Sequence, residues 1–553
     1  MERDRWEVLA RGWSRMSDSR RRRLVRNLRD AVGTGYFGGM GGLGLVFNMI
    51  CWEVNKHLPD HNKVNVKANS ECEYDPAKQK ILASFYPGHR ASHIFSNIFS
   101  RLPPDVQDGI GESTPTGPIL KEAKLLSNRR IKQIISDAYR SRGAECNTSH
   151  CILHGKACPI DAPQPENSPW RRHRVRIAAG GVPCVDQSTH GLLEGEAGKA
   201  AGAHHAFFQD VKHRRYSAVF IECTPLWDAE PSAREVTDVY LGCECVLCPR
   251  YIGDAYSRRR RLLTLFNKDE ARIAEPLSDY EDLFEAEAMF TFHELFNGSE
   301  LQHDIELGRM LGRRVAPVDS TDWLDTLLPL ERERRENYLL QNARDVELAK
   351  AVDGDPSVFD LENNPLSRPR RVFGSEHSTP MFCLVSHGTL WNERLMRPML
   401  LEEWLGCHMV PTFMCHASRG APSLQLPCDF LGLVDDGEVT ASTLKSAVGN
   451  GWHIGVLASW VMFVLSSVEF KYDEEEEWPY GDMSESLELK VPAPAPQTPV
   501  STPPRKKMKT DSDASSELGS AAFNSSSEGS PWLSDTTTSV IQSRAPIVVE
   551  DSP

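Results

Sequence analysis

The sequence predicts an α/β fold built on a mainly parallel sheet, and three observations predict it. Short apolar runs alternate with helical patterns from about residue 33 to about residue 470. Three of those runs, "VNVKANSE" (64–71), "RVRIAAGG" (174–181) and "YSAVFIEC" (216–223), end in small or polar residues. Open α/β sheets place their ligand-binding loops at such strand ends. Finally, 553 residues with 40% hydrophobic and 25% charged content can bury a sizeable core.

Residues 1–32 are polar and Arg-rich and read as a basic, helical N-terminal extension. Residues 33–266 carry the βα rhythm. Residues 267–375 are charged, contain a helical stretch at 327–350 and lose that rhythm, so an inserted or second domain is expected there. Residues 376–470 then return the chain to the first domain. The apolar run "GVLASWVMFVLSSV" (455–468) is too short to span a bilayer and reads as a buried helix. The N-terminus has charges where a secretory signal needs an apolar core, so no membrane partner is expected. Residues 471–553, beginning near "YDEEEEW" and continuing Ser/Thr/Pro-rich, cannot bury enough apolar surface and predict a disordered tail. Within it "PPRKKMK" (503–509) is a basic cluster of nuclear-localisation type, which predicts a nuclear protein.

Net charge is −14, which argues at first against a nucleic-acid partner. Fifteen acidic and seven basic residues leave 471–553 at −8 and the body at −6. Basic runs at 20–23, 170–176, 258–261 and 368–371 punctuate that body. Local potential rather than net charge governs binding, so a basic cleft is expected.

The first candidate site is "GTGYFGGMGGLGLVF" (33–47). Its glycines, among them Gly39, Gly41 and Gly42 beside Phe37, let a backbone turn tightly and approach a nucleoside cofactor. In "SECEYDPAKQKIL" (70–82) a carboxylate, Glu73, closes an apolar run where it can accept both ribose hydroxyls. A third strand end, "HIFSNIFSRLP" (93–103), offers Asn97 to an adenine ring. Next, "RIAAGGVPCVDQSTHG" (176–191) puts a thiol, Cys184, after Pro183 at a strand's carboxyl end. A thiolate there can attack an electrophilic ring carbon. In "FIECTPLW" (220–227) another strand ends in a carboxylate, Glu222, and "GDAYSRRRRLLTLF" (253–266) sets arginines ahead of a strand. Thiol, acid and arginines at consecutive strand ends suit addition to a pyrimidine.

These blocks, in this order, resemble the DNA (cytosine-5)-methyltransferase family over roughly residues 33–470. "GYFGGMGG" (35–42) looks like its Asp-Leu-Phe-Ala-Gly-x-Gly-Gly cofactor signature, and Glu73 matches its ribose-binding acid. "GGVPCV" (180–185) is similar to its Gly-Gly-Pro-Pro-Cys-Gln block, with Cys184 as nucleophile. Glu222-Cys223-Thr224 aligns with Glu-Asn-Val, and Tyr256, Arg258 and Arg260 with Gln-x-Arg-x-Arg. "RPMLLEEWLG" (397–406) is similar to Arg-x-Leu-Thr-x-x-Glu, and the segment around Asn450 looks like the closing Gly-Asn block that returns to the cofactor. The chain departs from the pattern at Gly35, Asn97, Val185, Cys223 and Tyr256.

The resemblance implies a Rossmann-like fold with a smaller target-recognition domain at 267–375, and S-adenosylmethionine as cofactor. It implies methyl transfer to cytosine carbon 5 in DNA, with Cys184 attacking carbon 6 of a flipped base, Glu222 protonating the ring, and Arg258 and Arg260 fixing it. An RNA cytosine-5 methyltransferase of the same fold, or a nucleic-acid-binding relative with weak catalysis, are the alternatives. Two cysteine-rich stretches remain. "CNTSHCILHGKAC" (146–158) holds three Cys and two His but matches no finger spacing, so no metal ligand is assigned and a zinc site stays open. "CECVLC" (243–248) reads as a strand with alternating buried cysteines. The fourteen cysteines follow no short, even framework, which suits free thiols in a reducing compartment.

Overall fold

The structure, a computed structural model, describes residues 7–29, 31–114, 121–160, 175–184, 186, 194–287, 295–296, 356–360, 371–373, 390–392, 395, 397–410 and 427–471. The expected tail beyond residue 471, most of the expected recognition region, and Val185 lie outside the described residues.

Nine strands form one sheet: β1 (Val32–Tyr36), β2 (Lys67–Cys72), β3 (His93–Phe95), β4 (Thr148–Cys151), β5 (Lys156–Pro159), β6 (Arg176–Gly181), β7 (Ala218–Cys223), β8 (Tyr240–Leu247) and β9 (Arg260–Asn267). Their order is β5-β4-β3-β2-β1-β6-β7-β9-β8. The centre, β3-β2-β1-β6-β7, is parallel. The flanks β4, β5 and β9 join antiparallel, and β8 pairs antiparallel with β9. This is the expected Rossmann-like α/β fold. Chain order reverses between β1 and β6, and an open sheet has its ligand crevice at such a switch point, beyond the carboxyl ends of the strands.

The runs expected at 64–71, 174–181 and 216–223 are β2, β6 and β7, trimmed by two or three residues. β7 is buried at every position, as a central parallel strand must be. The cysteine-rich run at 243–248 falls on and just past β8, with Cys245 and Cys248 buried as expected.

The apolar run near the C-terminus is the helix Ile454–Ser467, buried along its whole length. Trp460 Nε1 donates to Thr264 Oγ1 of β9 at 2.8 Å, and the Tyr280 hydroxyl meets Ser459 Oγ at 2.8 Å. The N-terminal stretch is helical, as expected, over Glu7–Arg15 and Asp18–Arg29. It packs on this same buried helix. Asn27 Nδ2 donates to the Leu465 and Val468 carbonyls at 2.7 and 2.8 Å, and Arg23 Nη1 to the Ser466 carbonyl at 2.6 Å. Arg20 is buried and pairs with Asp279 at 2.9 Å. Much of the basic run at 20–23 therefore serves internal cohesion rather than a nucleic-acid face.

A second group of buried charges ties the helix Ala201–Arg214 to the sheet. Asp210 Oδ2 accepts from the Tyr36 hydroxyl at 2.7 Å and from Arg101. Its Oδ1 accepts from the Tyr139 hydroxyl at 3.0 Å and Arg214 Nε at 2.9 Å. Burial alone would raise this carboxyl, but the two guanidiniums outweigh it and hold Asp210 well below the carboxylate range.

A separate antiparallel sheet joins Pro356–Asp360, Arg371–Phe373, Leu390–Asn392 and Arg397–Pro398. It crosses the boundary expected at 375/376.

Candidate active site

The thiol, the acid and the arginines meet at the carboxyl ends of β6 and β7. Gly181, last in β6, lies in register with Glu222 of β7, and Cys184 follows three residues later, half-buried. β9 starts at Arg260, beside the end of β7, and Arg260 Nε lies 2.7 Å from Glu222 Oε1. Burial pushes the Glu222 carboxyl up, against the pull of Arg260 and then Arg258. A carboxyl raised in this way is better able to hold a proton near neutrality. The Cys184 thiol is also raised, by burial first and then by the Glu222 charge, with the two arginines opposing.

Arg258 is buried and directs one guanidinium nitrogen to backbone. Its Nη2 donates to the carbonyls of Gly449 and Gly451 at 3.0 and 2.8 Å. These lie at the carboxyl end of the helix Ala441–Gly449, where unpaired carbonyls and the helix dipole attract a cation. These two bonds fasten the segment around Asn450 to the start of the arginine block. Tyr256 is fully buried, with its hydroxyl 2.9 Å from His408 Nε2 and its ring stacked on His453.

The glycine loop leaves β1, a strand not expected from the sequence. Phe37, Gly39 and Gly41 have φ of 53°, 54° and 67°. This left-handed run reverses the chain before the helix Gly42–Asn55. Phe37 packs edge-on against Phe207. Glu73 is aimed at this loop: Oε2 accepts from the Gly39 amide and Oε1 from the Asp75 amide, both at 2.9 Å. Each oxygen keeps a second lone pair for another donor. Pro183 contributes its carbonyl to His204 Nε2 at 2.8 Å. Asn97 and Asn450 are used locally. Asn97 Oδ1 accepts from the Phe99 amide at 3.1 Å, and Asn450, exposed, directs Nδ2 to Ser446 Oγ at 3.4 Å.

Two residues that sequence reasoning passed over complete the crevice. Glu71 lies in register with Gly35, and its carboxylate fills the space a side chain at 35 would take: a Cβ there would meet Oε2 at 1.8 Å. Oε2 is buried with no hydrogen-bond partner among the described residues. Burial and then the Glu73 charge push Glu71 up to about 8. The signal in the sequence was Gly35, where the resembled pattern has Asp. Trp452 is the other. A Cβ at Gly42 or at Gly181 would meet its ring at 2.5 Å, so it packs between the cofactor loop and the end of β6.

No family model matches the chain, and no curated protein matches it. In three dimensions it is similar to a protein described as a DNA modification methyltransferase encoded within an E. coli prophage. The two share 13% identity over 79% of this chain and 98% of that one, with a TM-score of 0.38. It is also similar to the S. pombe Dnmt2 methyltransferase, at 10% identity over 79% and 98% and a TM-score of 0.35. The Entamoeba histolytica methyltransferase EhMeth follows at 10% identity over 79% and 98%, with a TM-score of 0.31. Likeness of this size leaves the reading of the site to its own geometry.

Proposed function

We propose that this chain transfers a methyl group from S-adenosylmethionine to carbon 5 of cytosine in DNA. The observation that carries the reading is Cys184 facing the Glu222–Arg260 ion pair at adjacent strand ends on the switch-point crevice.

The cofactor fits the residues present. The left-handed loop at Phe37–Gly41 would cradle a ligand beside a helix N-terminus, and Glu73 has lone pairs for ribose hydroxyls. Glu71, whose Oε2 is buried beneath that loop with no partner among the described residues, suits a cofactor that carries positive charge. S-adenosylmethionine supplies the methyl group. The chain supplies the rest. Cys184 as thiolate forms a bond to carbon 6, and the electron pair of the 5,6 double bond moves to carbon 5. Glu222 donates a proton to ring nitrogen 3, which offsets the charge this addition pushes into the ring. Arg260 orients that carboxyl. After methylation a base removes the carbon-5 proton, the double bond reforms, Cys184 leaves as thiolate, and ring nitrogen 3 returns its proton to Glu222. The target base must leave the stack to reach the thiol. Residues 267–375 would read the flanking sequence, and the basic cluster at 505–509 would direct the chain to the nucleus.

A second reading, nucleic-acid binding without turnover, is favoured by the raised thiol of Cys184, since a neutral thiol is a poor nucleophile. The test is methyl transfer from labelled cofactor to DNA and RNA side by side. Label in DNA cytosine that disappears in Cys184→Ala supports the proposal. Label in RNA alone moves the substrate, and binding without label in either supports the second reading.

A further inference from the structure

Near one edge of the sheet, on the far side of β1 and β2 from β6, four metal-ligating side chains converge. β4 and β5 form a hairpin whose turn holds His154 and Gly155, the latter at φ 62°. Cys151 ends β4 and Cys158 lies in β5, both buried, and His154 is exposed at the tip. His93 starts β3, two residues before Phe95, which pairs with Cys151, so His93 is brought to the same edge. One ligand atom from each of His93, Cys151, His154 and Cys158 lies within 4.8 Å of all the others. His154 Nδ1 is 3.4 Å from the sulfur of Cys151 and 3.4 Å from that of Cys158. The two histidine rings stand 5.0 Å apart, tilted by 65°.

The geometry points to a structural zinc site formed by His93, Cys151, His154 and Cys158. Zinc takes thiolate sulfur at about 2.3 Å and imidazole nitrogen at about 2.0–2.1 Å, in a tetrahedron whose edges are then roughly 3.3–3.8 Å. The two sulfur–nitrogen separations of 3.4 Å fall in that range before any metal draws the ligands in. Two thiols and two imidazoles are the donor set that selects zinc over hard cations, and four protein ligands close the shell to substrate. Neither cysteine is in a disulfide. Cys146, buried nearby, is a useful contrast, because its sulfur turns to the Arg142 carbonyl at 3.7 Å and it is not one of the four. The metal would fasten the β4–β5 hairpin to β3, at the strand end opposite Asn97, and so stiffen the sheet edge beyond the cofactor side.

The test is metal analysis of the purified, reduced full chain from zinc-replete cells. One zinc per chain is expected. It should be retained in Cys146→Ser and lost in the double variant Cys151→Ser/Cys158→Ser. Cobalt exchanged into the wild type should give the visible bands of a tetrahedral site and a thiolate charge-transfer band. If the cysteine variant does not fold, His154→Ala, altered at an exposed position, should fold and yield its zinc to a chromophoric chelator that leaves the wild type loaded. Reduced wild-type protein that carries no zinc and develops no cobalt spectrum would overturn the site. So would full zinc content in the double variant.

Discussion

At Cys184 the physics runs against easy catalysis. Burial and the Glu222 carboxylate both raise the thiol, and Arg260 and Arg258 only partly offset them. Alkylation of Cys184 should therefore rise with pH and reach its midpoint above that of a free cysteine. Glu222→Gln removes one negative charge and leaves Arg260 without its ion pair, so it should move that midpoint down. An unchanged midpoint would show that the two groups do not interact. Glu71 offers a second titration. Its folded pKa of about 8 lies above the ordinary carboxylate range, so the folded state holds the proton more tightly. Its contribution to stability is complete below the unfolded pKa and is lost as pH rises through the folded one. Glu71→Gln, neutral at every pH, should thus gain on the wild type between about pH 5 and about pH 9, by on the order of a few kcal/mol at the top. Parallel melting curves for the two proteins across that span would refute the burial assigned to Glu71.

Among the elements, β6 and β7 were legible because apolar runs ending in Gly-Gly and in Glu leave little doubt of a buried strand and its loop. β1 was not, since two of its five residues are glycines and glycine weakens a strand. Packing explains both. A Cβ at Gly33 would meet the Phe47 ring at 2.5 Å, and one at Gly35 would meet Glu71. The place of Arg258 was hidden for a similar reason: its partners are backbone carbonyls nearly two hundred residues away, and no side-chain pattern announces them. Asp210 gathers the buried ion pairs of the helix Ala201–Arg214. Asp210→Ala would leave Arg101 and Arg214 buried without their carboxylate. The expected loss is about 3–5 kcal/mol in denaturant unfolding. A loss under about 1 kcal/mol, as for an exposed pair, would mean the network does not hold the helix.

Over the whole molecule, the order of strand ends matters more than any one block. The glycine loop leaves β1, Glu73 follows β2, Cys184 follows β6 and Glu222 lies one residue before the end of β7, and these strands are neighbours around one switch point. That convergence could be read from the sequence because each block sits where an apolar run stops. The closing segment could be placed there only by resemblance, and its anchors, Trp452 and the Arg258 carbonyls, came from the fold. The same contrast holds at the sheet edge, where three of the four zinc-binding candidates stand close in sequence but His93 is distant. The account's central claim is that Cys184 bonds covalently to the target base. Fluorine at carbon 5 blocks the proton loss that would free the enzyme. Incubation with 5-fluorocytosine DNA and S-adenosylmethionine should therefore give a denaturation-resistant complex of protein and DNA, absent when Cys184→Ala replaces the wild type. Tight binding of DNA and cofactor with no such complex, or a complex that persists in Cys184→Ala, would contradict it.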